Sequence, residues 1–417
     1  MKSLNKYILE YLQNKVTSEE YFEEASNIFE GGASGHLKHI YDYLDLTLND
    51  LKDIVKRLFK SEIEDITEKV DGVNIQVSMN NRDEVVFIRN KGDLNSDKGG
   101  MSLNDMYNKW ASKQDIMKTF TEAGSILEGV LPKIGKKFFN PDPNKRLTLN
   151  CECIREGVTN IIPYQKSLVY IHDIWIYEKE NDTWIHTDTT KNGLDDIQKH
   201  LNEHIKITPK VYININDNNS ERIDFYNNTF NRLFKEYHLG NNDTIQDYYY
   251  QRFKEYFTKN YKDYFDGLND MIISKFFNRI VLNDKSTNIR ALKKDYGEIA
   301  GEIDKDKKLL KYLNKDFDRL FIKLGSDIID LCSNLINNGF EDTSIESIKN
   351  ELDNIQDRIE HSNDVKLKDK LLSELDRLGD NKINSTEGIV FNYNGKLMKL
   401  TSSFAPINQI IGLKYNL

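Results

Sequence analysis

Two strand-like stretches, far apart in the chain, set the outline of this protein. From Thr67 the hydrophobic period is two: Val73, Ile75, Val77 and Met79 alternate with Asn74, Gln76 and Ser78. That is the pattern of a strand with one apolar and one polar face. Asn80-Asn81-Arg82-Asp83 reads as a turn, and Glu84 to Arg89 as the returning strand. Near the other end, Gly388 to Leu400 carries apolar runs on both sides of Asn394-Gly395. This dipeptide favours a tight hairpin because the two central residues of a type I′ turn both need positive φ. Leu147 to Ile154 and Leu168 to Tyr177 are further strand-like runs.

Between these regions the material changes. Residues 1 to 60 read as helical. Thr17-Ser18-Glu19-Glu20 is a capping box ahead of Tyr21, Phe22 and Ile28, and Gly31-Gly32 closes that helix. Leu51, Ile54, Val55 and Leu58 form one stripe of a second helix, from Leu48 to Phe59. Residues 190 to 382 are rich in Lys, Asp, Asn and Tyr. They show helical periodicity over Leu233 to Phe265, Leu313 to Ile336 and Ile345 to Leu378, the last opened by the capping box Thr343-Ser344-Ile345-Glu346. The expected class is therefore α+β in three parts: an N-terminal helical segment (1–60), a sheet domain (61–189 and 383–417) and a helical insertion (190–382).

Composition narrows the function classes. The 417 residues exceed one average domain, and a 30% charged content with a mean hydropathy of -0.64 describes a large solvated surface. No run approaches the ~20 apolar residues of a membrane span. Met1-Lys2-Ser3-Leu4-Asn5 lacks the apolar core of a secretory signal. Cys151, Cys153 and Cys332 have no metal-ligand spacing and suit a reducing compartment, so a cytoplasmic location is expected. The net charge of -9 speaks against binding nucleic acid over the whole surface. A local basic groove stays open, because only the cations that meet phosphates count. Scarce proline beside abundant Asn, Ile, Lys and Tyr is the bias of an AT-rich genome.

The segment that carries chemistry is Glu68-Lys69-Val70-Asp71-Gly72-Val73-Asn74. A lysine two places before Asp-Gly, at a strand entry, resembles the first motif of the covalent nucleotidyltransferases: DNA ligases, RNA ligases and mRNA capping enzymes. Asn74 after the glycine is the variant similar to the RNA ligase 2 type. Alone, Lys-x-Asp-Gly reads equally well as a strand-entry turn with a surface lysine. Five further segments, in the family's order, outweigh that reading. Phe87-Ile88-Arg89-Asn90-Lys91-Gly92 resembles the next element, whose arginine contacts nucleotide or 5′-phosphate. Leu149-Asn150-Cys151-Glu152-Cys153 resembles the third motif, with Asn150 where the family usually has glycine. Tyr170-Ile171-His172-Asp173-Ile174 looks like the strand that supplies a ring to stack on adenine, from either Tyr170 or His172. Thr386-Glu387-Gly388-Ile389-Val390-Phe391 matches the fourth motif, and Lys396-Leu397-Met398-Lys399-Leu400-Thr401 the fifth. The family pattern there is Lys-x-Lys. Here Lys399 fits and Thr401 takes the second place, or Lys396 assists from the hairpin turn.

The resemblance implies a ligase-type nucleotidyltransferase fold, two antiparallel sheets flanked by helices. With only residues 402 to 417 after the fifth motif, the expectation is a chain without the C-terminal OB domain of DNA ligases and capping enzymes. The pattern is also similar to a group of phage-encoded nucleotidyltransferases. The implied activity is ATP-dependent RNA ligation and RNA repair through a lysyl-AMP on Lys69, acting on RNA with 5′-phosphate and 3′-hydroxyl ends or on a nicked duplex. In that scheme Lys69, Asp71 and Lys399 are catalytic. The nucleotide is held by Glu68, Lys69, Gly72, Asn74, Arg89, Glu152, Tyr170, His172, Glu387, Lys396 and Lys399. Glu387 and Glu152 hold Mg²⁺ or Mn²⁺, a hard ion that prefers carboxylate and phosphate oxygens. A lysine is almost all ammonium at neutral pH and must lose a proton to attack phosphorus, which neighbouring cations such as Lys399 and Arg89 would favour.

Blander readings exist for several residues. Cys151 and Cys153 read as small packing residues facing away from Glu152. His36 and His39 suit either a metal or phosphate site or a helix start. Tyr248-Tyr249-Tyr250-Gln251-Arg252-Phe253-Lys254 fits an aromatic clamp on single-stranded RNA or an amphipathic helix with core tyrosines. At the level of function, the alternatives are a nucleotidyltransferase-fold protein that binds nucleic acid without turnover, and the same chemistry on nicked DNA or another acceptor.

Overall fold

Val73–Met79 forms the strand that its alternation predicts, and the other strands assemble around it. The structure is a computed structural model that describes residues 37–156, 166–180, 183–185, 190–216, 218–265, 267–284, 286–336, 365–378, 386–404 and 406–407. The capping boxes at Thr17 and Thr343, the Gly31-Gly32 stop and His36 lie outside these residues. In chain order the strands are β1 Lys38–His39, β2 Thr67–Lys69, β3 Val73–Met79, β4 Val85–Ile88, β5 Lys145–Ile154 and β6 Leu168–Glu178. They continue as β7 Thr183–Ile185, β8 Ile205–Ile207, β9 Tyr212–Ile213, β10 Cys332–Ser333, β11 Gly388–Tyr393 and β12 Lys396–Thr401. The class is α+β, with two multi-stranded sheets and a two-stranded ribbon of β9 and β10.

The chain divides into two compact units. One comprises Val70–Pro209; the other joins Lys38–Lys69 to Lys210–Ile410. In the first, six strands run in the order β4-β3-β5-β6-β7, with β8 also paired to β6. Its core face carries Val73, Ile75, Val77, Leu149, Cys151, Cys153, Val169 and Ile171. Helices Leu103–Lys109 and Gln114–Glu128, absent from the sequence expectation, bring Met106, Ile116, Phe120 and Leu127 to that core. Their signal was present: Ser102 accepts from the Asp105 N–H, and Asp105 from the Ser102 N–H, a complete capping box.

In the second unit the sheet order is β1-β12-β11-β2. Thr47 caps helix Leu48–Phe59, whose Leu51, Ile54, Val55 and Leu58 are fully buried as their spacing requires. Asn394 (φ 50) and Gly395 (φ 80) make the hairpin turn between β11 and β12, the two positive φ values that type I′ needs. Ile389, Phe391, Tyr393, Met398 and Leu400 face one apolar core with Phe317, Phe321, Leu324 and Ile328 of helix Lys307–Ile329. Packing of this hairpin on helices 210–410 places it with them, whereas the sequence grouped 383–417 with 61–189.

Three further expectations change. Neither sheet is purely antiparallel: β1 runs parallel to β12, and β8 to β6. The helix expected over Leu313 to Ile336 stops at Ile329, because β10 follows and pairs with β9. The stretch read as a helical insertion from 190 includes β8, whose Ile205 joins the six-stranded core. Tyr248, Tyr249, Arg252 and Phe253 are all buried in helix Ile245–Tyr261, so the Tyr-rich stretch is core rather than an open clamp. No described helix is long and apolar enough to cross a membrane.

Candidate active site

Each sheet turns one face to its apolar core and the other to polar side chains, and the expected site residues fall on both polar faces. They also fall on both units, because the boundary runs between Lys69 and Val70.

In the four-stranded sheet, cross-strand register builds two rows. Lys69 pairs with Gly388 and Gly388 with Thr401; Thr67 pairs with Val390, Val390 with Lys399, and Lys399 with His39. Because side chains alternate, Lys69, Thr401, Lys399 and His39 share the face opposite Ile389 and Met398. Lys69 Nζ stands 2.5 Å from Glu387 Oε2, a partly buried ion pair. A Cβ on Gly388 would lie 2.3 Å from the Leu400 carbonyl oxygen, so only glycine lets β11 and β12 close up beneath Lys69. Burial first, and then the charges of Lys399, Arg377 and Lys69, hold the His39 imidazole well below its ordinary pKa. The His39 ring stacks on Tyr41 with centroids 5.0 Å apart. Burial raises the pKa of Asp42, with the Lys399 charge opposing.

Two expected residues stand elsewhere in this unit. Glu68, 1% exposed, falls on the core side of β2 by alternation, and its carboxylate accepts the Ile336 N–H. Lys396 also sits on the opposite face from Lys399, at the hairpin end, where its Nζ is 2.6 Å from Asp45 Oδ2. Neither shares the Lys69 face. Thr401, in the second lysine's place, is buried.

In the six-stranded sheet, Asn74 pairs with Glu152, Glu152 with Tyr170, and Tyr170 with Lys206 of β8. Asn74 Nδ2 donates to Asn150 Oδ1 at 2.8 Å and to Glu152 Oε2 at 3.4 Å. Asn150, which stands where the resemblance expects glycine, thereby anchors Asn74. The β5–β6 register slips between Asn150, opposite Asp173, and Cys151, opposite Ile171. This leaves His172 as the extra residue of a bulge, a device that re-aims a side chain. Its Nδ1 shares a 2.9 Å hydrogen bond with Thr208 Oγ1, and its Nε2 lies 3.6 Å from Glu152 Oε2. Tyr170 is nearly fully buried, and His172 is the more exposed of the two candidate rings.

Arg89 is 6% exposed; its Nη1 donates to the Asn74 carbonyl oxygen and its backbone N–H to Asp93 Oδ2. Nη2 has no hydrogen-bond partner among the described residues. Burial lowers the Arg89 pKa, opposed by the charge of Glu152. Gly72 serves packing here: a Cβ would stand 2.8 Å from Glu152 Cγ and 2.9 Å from the Cys153 carbonyl oxygen. Asp71 lies half-buried between β2 and β3. Cys151 and Cys153 are fully buried on the far face, where burial raises both thiol pKa values.

Several participants escaped sequence reading. Thr208, Lys206 and Arg377 come from segments without a motif, and only strand pairing or helix packing brings them to these faces. His39 had a signal, but its spacing with His36 suggested a helix start instead of a strand beside β12. Among the described residues no three His, Cys, Asp or Glu side chains gather as a metal site. No protein-family model matches the chain, and no curated protein matches its sequence.

Proposed function

We propose that the protein is an ATP-dependent RNA ligase of the covalent nucleotidyltransferase type, with Lys69 as the nucleophile. The observation that supports this reading most is the Lys69–Glu387 pair, on a strand face that also carries Lys399. These residues come in the order and spacing that the ligase motifs use.

The chemistry has three steps. Lys69 Nζ, after giving one proton to solvent, attacks the α-phosphorus of ATP; an N–P bond forms, the P–O bond to pyrophosphate breaks, and Nζ releases a second proton and keeps one. A 5′-phosphate oxygen of RNA then takes the adenylyl group and the lysine amine returns. Finally a 3′-hydroxyl attacks that phosphate and AMP leaves. In the resting protein Glu387 pairs with the ammonium, so breaking this pair is what frees the amine. Lys399 on the same face favours the neutral amine by repulsion and neutralises phosphate charge in the transition state. Asn74, Arg89, Glu152 and the His172 or Tyr170 ring are the residues this reading assigns to the nucleotide and the 5′-phosphate. Asp71 is assigned the orientation of Lys69.

This reading assigns Mg²⁺ or Mn²⁺, a hard ion whose shell nucleotide phosphates would complete, to the carboxylate of Glu387 in one unit and that of Glu152 in the other. When bound, such an ion would supply charge neutralisation at the phosphates. Cytoplasmic RNA ends, in a phage-infected host if the resemblance extends to the source, are the proposed setting. A second reading, nucleotide or RNA binding without turnover, draws on buried Thr401 where the family has a second lysine.

Incubation with α-labelled ATP or GTP and Mg²⁺, followed by denaturing electrophoresis, separates the two readings. Label that survives denaturation supports the ligase; its absence from intact protein that binds nucleotide supports the second. Supplying 5′-phosphorylated RNA or nicked duplexes to the labelled protein then identifies the acceptor.

A further inference from the structure

At the opposite end of the six-stranded polar face lies a cavity of about 400 Å³ that none of the ligase motifs touches. Its wall includes Arg82, Arg146 and Lys179, together with Lys98, whose Nζ is paired with Asp105 Oδ2 at 3.0 Å, against a single lining carboxylate, Asp97. Tyr177, the cross-strand partner of Arg146, lines it as well.

Arg146 makes this more than a basic surface. The residue is only 6% exposed, and no carboxylate pairs with it among the described residues. Nη1 donates to the Gly99 carbonyl oxygen at 2.6 Å, and the buried Nε has no hydrogen-bond partner. A guanidinium taken out of water without a counter-ion is costly, and one donor left unmatched adds to that cost. Gly99 shows that the position is built. With φ at +69° it adopts a left-handed conformation, and a Cβ there would stand 2.7 Å from both Arg146 Nη atoms. A residue with a side chain would fill the cradle that the guanidinium occupies.

We propose that this cavity binds a phosphate group, with Arg146 as the buried anchor and exposed Arg82 and Lys179 as its rim. A planar guanidinium suits a phosphate's oxygens, and Arg82, Arg146 and Lys179 against Asp97 favour an anionic ligand. The phosphate belongs either to a polynucleotide backbone or to a free ion. The inference stands independently of whether Lys69 becomes adenylated.

The test uses the full chain with ¹⁵N-labelled arginine, reading the Arg146 Nε–H resonance, assigned by its loss in Arg146→Lys. One arm titrates a short single-stranded RNA without a 5′-phosphate; the other titrates inorganic phosphate. A shift of the resonance in either arm is expected. Saturation by RNA at a concentration at least tenfold lower than by inorganic phosphate assigns the source to a backbone; equal or weaker RNA binding assigns it to a free phosphate. In the backbone case, Lys179→Glu and Arg82→Glu should each reduce the slope of log affinity against log salt by about 0.7, one single-strand phosphate contact. These rim positions are exposed, so the variants keep the test open if Arg146→Lys fails to fold. For a free phosphate the same variants should weaken binding at least threefold. No shift in either arm, or unchanged binding in both rim variants, overturns the proposal.

Discussion

The two sheets solve one design problem differently. Both bury one face in apolar residues and keep polar side chains on the other. In the six-stranded sheet the polar face is closed and cross-linked: Asn74 bonds Asn150 and Glu152, the Thr148 hydroxyl donates to Gln76 Oε1, and Ser78 donates to the Leu147 carbonyl. Gln76, Ser78 and Thr148 are fully buried. In the four-stranded sheet the polar face is half-buried, sparse and dominated by charge, with Lys69, Glu387, Lys399 and His39. A buried, cross-linked network resists rearrangement, whereas a partly exposed ion pair can open at smaller cost. Under the proposed function, recognition would draw on the closed face and reaction on the charged one.

Substitution of the two motif glycines should break this comparison most visibly. Gly388→Ala drives a Cβ to 2.3 Å from a backbone oxygen, a deep overlap, while Gly72→Ala meets the Glu152 side chain at 2.8 Å and the Cys153 carbonyl oxygen at 2.9 Å, a shallower one. We expect about 3 kcal/mol lost from the four-stranded sheet and about 1 kcal/mol from the six-stranded one. Amide hydrogen exchange read separately over β11–β12 and β3–β5 measures both; a larger loss at Gly72 would reverse the ranking.

The carboxylates come next. Glu152→Gln disturbs buried partners and should weaken protection of β3 and β5 by about 1–2 kcal/mol. Glu387→Gln opens only a partly exposed pair, worth under about 1 kcal/mol, yet should cut lysine adenylation far more than protein stability. Equal exchange effects in the two variants would mean that the faces do not differ as described.

The smallest effect concerns His39. The folded protein holds its imidazole neutral below the ordinary pKa, whereas the unfolded chain takes up a proton near pH 6.5. Unfolding therefore binds a proton as pH falls beneath that value, and stability falls with it. Melting temperature measured from pH 7.5 to 5.5 should decline less steeply for His39→Gln than for wild type. Identical slopes would show that burial and the surrounding cations do not act on His39.

Strands with strict alternation were legible from sequence. Val73–Met79 and the Asn394-Gly395 hairpin are determined by local pattern and turn chemistry, and helix Leu48–Phe59 by its stripe and cap. What pairs with what was not legible. The parallel partners β1 and β8 are two or three residues long, too short to show a period, yet they bring His39 beside Lys399 and Lys206 beside Tyr170. Glu68 and Lys396 show a limit of motif reading within the site. Their types and places in sequence fit the resemblance, but alternation turns Glu68 to Ile336 and Lys396 to Asp45. The β6 bulge at His172 leaves no mark in composition, because it arises from register between two strands.

The central claim is that Lys69 carries the adenylyl group. Incubating the full chain with ATP and Mg²⁺, digesting it under conditions that preserve phosphoramidates, and sequencing the peptides by mass spectrometry tests it directly. The account predicts AMP on the peptide containing Lys69, attached at that lysine, and none in Lys69→Ala. AMP on Lys399 or another residue, or an unmodified chain that nonetheless binds ATP, would contradict it.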